Sequence, residues 1–392
     1  MIPYGRQDID QSDIDAVVSV LRSDFLTQGP VVPRFEQAVC AAVGAKRGVA
    51  VNSATSALHI ACAALELGPG DWLWTVPNTF VASANCARYC GARVDFVDID
   101  AKTWNISVPA LERKLAAAEA AGRLPKILVA VHFSGQPTEQ DAIAALAKRY
   151  RFRVIEDASH AIGASYKGER VGSCRWSDIT VFSFHPVKIV TTAEGGIAVT
   201  NDAALAEKMA LLRSHGITRD PARLTHVPDD GAASPAPFYY EQHLLGFNYR
   251  MTDVHAALGL SQLARLAAYV DRRNQLARRY DALLRDLPVQ LPTVLPGVVS
   301  AFHLYVVRLP ATRAGRDHRR IFDTLRAAGI GVNLHYLPVH LQPYYRALGF
   351  KEGDFPEAEL YARTAITLPL FATLSEPAQD EVVKALAAAI RE

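Results

Sequence analysis

Two side chains of this chain could do chemistry together. Lys188 closes the apolar run Val181-Phe182-Ser183-Phe184-His185-Pro186-Val187, and Thr191-Thr192-Ala193-Glu194-Gly195-Gly196 then turns into a second strand. Lysine is seldom buried, and an amine held among apolar side chains gives up its proton more readily than one in water. The neutral amine condenses with carbonyls to a Schiff base. Asp157 ends another apolar run, Arg153-Val154-Ile155-Glu156. Together they point to pyridoxal 5'-phosphate (PLP): the lysine would hold its aldehyde, and the aspartate would keep its pyridine nitrogen protonated. Singly, each has a plainer reading, the lysine in a surface turn and the aspartate as a cap.

PLP also needs a phosphate site. Asn52-Ser53-Ala54-Thr55-Ser56-Ala57-Leu58 leads from a strand end into a helix. Helix N-terminal amides bind phosphate, so Ala54, Thr55 and Ser56 are candidates, although Ser and Thr are also ordinary N-caps. Ser183 could add a donor. Phe80, in Pro77-Asn78-Thr79-Phe80, could stack on a flat ring or fill the core. His160, three residues after Asp157, could touch the ring or its 3'-oxygen, or be structural. No dinucleotide or nucleoside-triphosphate glycine motif occurs.

Alternating strands and helices must position these groups. Strands are expected at 48–51, 72–76, 93–97, 126–131, 153–157, 179–184 and 196–200, and helices at 55–67, 81–89, 109–121 and 139–150. Repeated β-α-β units imply a mostly parallel sheet between helices. No helix intervenes between 179–184 and 196–200, so strand order or direction should change there. Residues 220–240, rich in Pro, Gly, Ala and Asp, read as a long loop. Beyond it come helices at 252–267, 269–286, 317–328 and 376–391, with strands at 304–308 and 331–334. Arg272, Arg273, Arg278 and Arg279 read as a solvated helix face balanced by Asp271, Asp281 and Asp286. The expected division is a large domain over 1–245 and a smaller α+β domain over 246–392.

The 392 residues are 50% hydrophobic and 21% charged with net charge +2, so nothing calls for nucleic acid or an anionic membrane. No signal-type or membrane-spanning apolar run is evident, and a cytoplasmic protein is expected. Five cysteines argue against a disulfide framework. Cys86 and Cys90 would share a helix face, but no second pair completes a metal site, and none is expected.

Together, Asn52–Leu58, Phe80, Glu156–Gly163, Ser183–Lys188, Thr191–Gly196 and Gly246-Phe247-Asn248-Tyr249-Arg250-Met251-Thr252-Asp253 resemble the DegT/StrS-type nucleotide-sugar aminotransferases. The resemblance covers nearly the whole chain, in order and at family spacing. Ile2-Pro3-Tyr4-Gly5, Ser23-Asp24-Phe25-Leu26-Thr27-Gln28-Gly29-Pro30 and Val332-Asn333-Leu334-His335-Tyr336 look most like its pseudaminic acid branch. The resemblance implies an α/β, fold-type I PLP-dependent transferase with a seven-stranded-type sheet, acting as a homodimer with shared active sites. It implies Lys188 and Asp157 as catalytic residues. Thr55, Ser56 and Ser183 match phosphate contacts, Phe80 the stacking aromatic, and His160 the residue beside the ring. Asn248 matches a residue that reaches the neighbouring subunit's phosphate. Tyr4, Asp24, Phe25, Leu26, Thr27, Asn333, Leu334, His335 and Tyr336 match sugar-nucleotide contacts.

The implied reaction moves an amino group from L-glutamate to the 4-keto carbon of a UDP-linked 4-keto-6-deoxy sugar, through the pyridoxamine phosphate form. Another nucleotide-linked keto sugar and a non-catalytic regulatory member of the same fold are the alternatives. Arg250 could meet a substrate carboxylate or phosphate, or form a structural salt bridge. The 220–240 loop has no secure family counterpart.

Overall fold

The computed structural model describes residues 1–226 and 236–391. Its centre is a seven-stranded sheet. The chain runs through β1 (Arg47–Val51), β2 (Trp72–Thr75), β3 (Arg93–Phe96), β4 (Ile127–Val131) and β5 (Arg153–Asp157). After the two-residue pieces β6 (Ser165–Tyr166) and β7 (Glu169–Arg170) come β8 (Ile179–Ser183) and β9 (Gly196–Thr200). The spatial order is β1-β9-β8-β5-β4-β2-β3. Only β9 runs against its neighbours, pairing antiparallel with both β1 and β8. The direction therefore reverses where no helix connects two strands. β4, β8 and β9 are buried along their whole length, as strands covered on both faces must be.

Helices α1 (Gln11–Leu21), α2 (Val31–Val43), α3 (Ala54–Ala64), α4 (Ala82–Tyr89), α5 (Val108–Ala120), α6 (Gln140–Tyr150) and α7 (Ala203–Arg213) belong to this part. The sequence pattern did not yield α1 or α2. The N-terminus of α2 has no cap of its own; the distant Asp253 carboxylate accepts from the amides of Gly29 (2.7 Å), Val31 (2.7 Å) and Val32 (3.1 Å).

Residues 227–235 of the expected loop lie outside the described residues. Before them Pro221–Arg223 makes a single 3-10 turn, and β10 (Ile217–Thr218) pairs with β11 (Glu241–Gln242) beyond them. Then come α8 (Asp253–Leu263), α9 (Leu266–Leu284), β12 (Val298–Val299), β13 (Tyr305–Arg308), α10 (Arg316–Ala327), β14 (Ala365–Leu368) and a last helix, Glu376–Arg391.

Helix α9 straddles two cores: Leu266, Tyr269 and Val270 join the cluster formed with α2 and β9, whereas Leu276, Ala277, Tyr280 and Leu284 join the C-terminal cluster. Val306, Tyr345, Tyr361 and Ala365, from the C-terminal part, pack in the core of the central sheet. We propose a large unit over 1–245 and a smaller one over 246–392, joined through this shared core. Two sequence expectations fail here. Residues 331–334 are not a strand: β13 pairs with β14, and 330–333 make only isolated bridges to Ile2 and Thr367. A Cβ at Gly331 would lie 2.8 Å from the Ile2 carbonyl oxygen, because the N-terminal segment takes that side. Nor is Arg273 solvated. It is buried, and its Nη1 donates to the carbonyls of Phe302 (3.2 Å), His303 (3.2 Å) and Leu370 (3.0 Å).

Candidate active site

The C-terminal edge of the parallel strands opens on a cavity of about 500 Å³, where ligands bind in open α/β sheets. It is lined by Tyr4, Ala54, Thr55, Phe80, Asp157, His160, Ser183, Lys188, Asn333, Leu334, His335 and Tyr336, twelve residues singled out from the sequence.

Asp157 is the last residue of β5. Side chains alternate along a strand, so the preceding Glu156 points to the opposite face. There it accepts from Gln140 and from Thr180 Oγ1 (2.7 Å), with His132 Nε2 at 3.7 Å. These partners hold the Glu156 carboxyl below its ordinary pKa against the opposing effect of burial. They also anchor the strand end that presents Asp157. The Asp157 carboxylate accepts from Ser83 Oγ (2.7 Å), Ser159 Oγ (2.6 Å) and the Ser159 amide (3.1 Å).

Lys188 stands on the loop between β8 and β9. It forms no ion pair with Asp157 within 4.0 Å, so the two leave space between them. Burial pushes its ammonium down to about 8, partly opposed by the Asp157 charge. At neutral pH a far larger fraction of this amine is neutral than of an exposed lysine.

His160 is buried, with Nε2 3.1 Å from the Tyr336 hydroxyl. Its other nitrogen, Nδ1, is buried without a hydrogen-bond partner among the described residues. Burial and the Lys188 charge hold its imidazole well below its usual pKa. Burial likewise holds His335 at about 3. Phe80 is 58% exposed at the rim, its ring 6.2 Å from that of Tyr336. Exposure on that scale leaves a ring face open. Tyr4 reaches the cavity because the Ile2 amide bonds the Gly329 carbonyl (2.8 Å) and the Gly331 amide the Ile2 carbonyl (2.7 Å). Its ring lies 5.2 Å from that of His335.

Helix α3 begins at the cavity. Ser53 caps it by accepting from the Ser56 amide (3.2 Å). The Ser56 hydroxyl is turned away and donates to Asn52 Oδ1 (2.6 Å), so Ser56 does not line the cavity. Asp24, Phe25, Leu26 and Thr27 are exposed and also stand outside this lining, as does the exposed Asn248. Thr27 bridges Thr252, and Asn248 bridges Ser214. Arg250 bridges Val51 through its backbone; its side chain has no ion pair among the described residues.

Sequence reasoning missed Ser83, Ser159, His185, Glu194 and His303, which hold Asp157 or line the cavity. Ser159 could have been found from its two-residue spacing to Asp157, an Asx-type local bond. No local signal marks Ser83 or His303, which arrive from α4 and from the segment before β13.

The model of the DegT/DnrJ/EryC1/StrS aminotransferase family matches residues 7–387. The chain belongs to that family. The spore coat polysaccharide biosynthesis protein SpsC of Bacillus subtilis is 38% identical over 388 residues, spanning 98% of this chain and 96% of SpsC. Spr1654 of Streptococcus pneumoniae, solved in its PMP form, superposes with a TM-score of 0.91 at 29% identity over 100% and 99% of the two chains. Helicobacter pylori PseC, an aminotransferase of pseudaminic acid biosynthesis, superposes with a TM-score of 0.89 at 31% identity over 100% and 99%. This DegT/StrS chain is thus a sugar aminotransferase of α/β fold, and its cofactor is PLP.

The residues present fit that cofactor. An amine with no ion pair among the described residues and a carboxylate with three donors face one cavity. The start of α3 is open to a phosphate, and Gly196 allows its close approach: a Cβ there would lie 2.5 Å from the Ala54 amide nitrogen. Among the described residues no cluster of three His, Cys, Asp or Glu is arranged to hold a metal ion, and no helix is long and apolar enough to cross a membrane.

Proposed function

We propose that this sugar aminotransferase transfers the amino group of L-glutamate to the 4-keto carbon of a UDP-linked 4-keto-6-deoxy sugar, UDP-2-acetamido-2,6-dideoxy-L-arabino-hexos-4-ulose, in pseudaminic acid biosynthesis. The observation that carries the transaminase chemistry is the Lys188 amine, held at about 8 across the cavity from Asp157. PLP, when bound, supplies an aldehyde for that amine and a ring that delocalises the electron pair left when a Cα–H proton departs. Lys188 Nζ takes the proton from the donor's Cα and later returns one, acting as base and then acid. Asp157 would accept from the pyridine N–H and keep that nitrogen charged. Ala54, Thr55 and Ser183 would take the phosphate, with Ser56 holding the turn through Asn52. Phe80 would cover one ring face, and His160 would sit beside the ring. Tyr4 and the Asn333, Leu334, His335 and Tyr336 run meet the sugar nucleotide.

Two exposed segments complete the site in a homodimer on this reading. Asn248 reaches the partner's phosphate, and Asp24, Phe25, Leu26 and Thr27 meet the partner's substrate. Their exposure, and their absence from the lining of the cavity of their own chain, support that arrangement. The choice of sugar rests on the motifs around Tyr4, Thr27 and His335 and on the likeness to PseC. The greater identity to SpsC favours a second reading, another nucleotide-linked keto sugar.

The test is to add L-glutamate to the PLP-loaded protein, record the visible spectrum, and then add the UDP-keto sugar. Loss of the visible cofactor band with glutamate, its return with the sugar, and an amino sugar by mass spectrometry are expected. Bleaching without return rejects this sugar, and absence of any response to glutamate rejects the donor.

A further inference from the structure

We infer that His303 is a positioning residue, which sets the His160 imidazole by close, tilted ring packing from the C-terminal side of the cavity. The inference rests on the placement of His160 beside the cofactor ring proposed above. The two imidazoles lie 4.4 Å apart at 42°, and both line the cavity. His160 also has one hydrogen bond, Nε2 to the Tyr336 hydroxyl (3.1 Å), and more distant ring neighbours in Phe133 (6.1 Å) and Tyr336 (6.2 Å). At 4.4 Å His303 is by a wide margin the nearest ring, so it limits pivoting of the imidazole about the Tyr336 bond most directly.

The His303 backbone is fixed from three directions. Arg273 Nη1 donates to the carbonyls of Phe302 and His303. Gly135 packs so closely that a Cβ there would lie 2.8 Å from the Phe302 amide nitrogen, and 2.9 Å from both the His160 carbonyl oxygen and the His303 amide nitrogen. Around Gly135 the chain segments bearing His160 and His303 therefore meet backbone to backbone. The Ala301 and Leu304 amides bond the Gly135 (2.9 Å) and Ser134 (3.2 Å) carbonyls.

The His303 Nδ1 is buried without a hydrogen-bond partner among the described residues. What His303 gives His160 is an aromatic face. Burial and the nearby Lys188 charge disfavour protonation of both rings, so two neutral imidazoles can pack together without charge repulsion.

Three variants test this. His303→Leu keeps most of the volume and removes the aromatic face, His303→Phe keeps the face, and His160→Leu removes the ring being positioned. Two readouts apply: the Kd of the apoprotein for PLP, and the pH midpoint at which the visible band of the loaded protein changes. His303→Leu should weaken PLP about 3- to 10-fold, the range of an aromatic pair, and move the midpoint in the same direction as His160→Leu. His303→Phe should restore both. A leucine variant that matches the wild type in both readouts overturns the inference, and so does a phenylalanine variant as impaired as leucine. If His160→Leu itself moves neither readout, the placement of His160 fails, whatever His303 does. Should the leucine variant not fold, the phenylalanine variant decides alone: values within about twofold of wild type support ring packing, and a larger loss refutes it.

Discussion

Replacing Lys188 by methionine should make the PLP-free protein more stable. Each pH unit by which a folded-state pKa falls below its unfolded value costs about 1.4 kcal/mol when the group is protonated in both states. The Lys188 ammonium falls from an ordinary 10.5 to about 8, so the folded apoprotein carries a cost of roughly 3 kcal/mol at neutral pH. Water in the open cavity reduces this, and about 2 kcal/mol is the expected gain for Lys188→Met at pH 7. The sign follows from proton binding. Below about pH 8 both states of the wild type hold the proton and the whole cost is present. Between about 8 and 10.5 the unfolded chain binds more proton than the folded one, so wild-type stability climbs towards that of the variant. Above 10.5 the difference should nearly vanish. Urea unfolding of both apoproteins at pH 7 and pH 10.5 measures it, at equal protein concentration because subunit association would shift the midpoints. Equal midpoints at pH 7, or a gain that persists undiminished at pH 10.5, would refute the argument.

Ser83→Ala leaves Asp157 Oδ2 without its 2.7 Å donor; PLP should bind about tenfold more weakly, and an unchanged Kd by apoprotein titration would deny the serine this part. Gly196→Ala pushes the start of α3 away from β9, where a Cβ would meet the Ala54 nitrogen at 2.5 Å. A loss of PLP affinity larger than for Ser83→Ala is expected in the same titration. Asp253→Ala strips three amides at the start of α2 of their acceptor. That should cost about 2 kcal/mol in urea unfolding, and a loss under 0.5 kcal/mol would contradict the capping role. Burial raises the thiols of Cys40 to about 11 and of Cys90 and Cys174 to about 12. At pH 8 an alkylating reagent should therefore label the native protein far more slowly than the urea-unfolded one, as counted by mass spectrometry.

The parts of this fold that were legible in the sequence are those where one physical signal acts over a continuous stretch. The strand bearing Ser183 is buried along its whole length and rich in apolar residues, and the one bearing Asp157 is buried from Val154 onward, because both faces of the sheet are covered. The turn at Ser53 carries its cap within three residues. What escaped depends on contacts across the chain. The cap of α2 comes from Asp253, more than two hundred residues away, so its start carries no local mark. Arg273 looks solvated by composition and is buried because backbone carbonyls of a remote loop satisfy it. His303 sits in an apolar stretch without periodicity to set it apart, and only Gly135 and Arg273 bring it to the site.

Ser183 and Gly196 stand opposite one another in the ladder of β8 and β9, so the chain leaves the sheet and returns to it at a single rung. The segment carrying Lys188 is therefore a closed tether with both knots tied in the same place. Phe184, Ile189 and Val190 root that tether in the core, and the Phe184 amide closes it on the Gly195 carbonyl (2.9 Å). How far the amine reaches is therefore set by a buried loop rather than by a free one, and a change of its length is felt by the core as well as by the site.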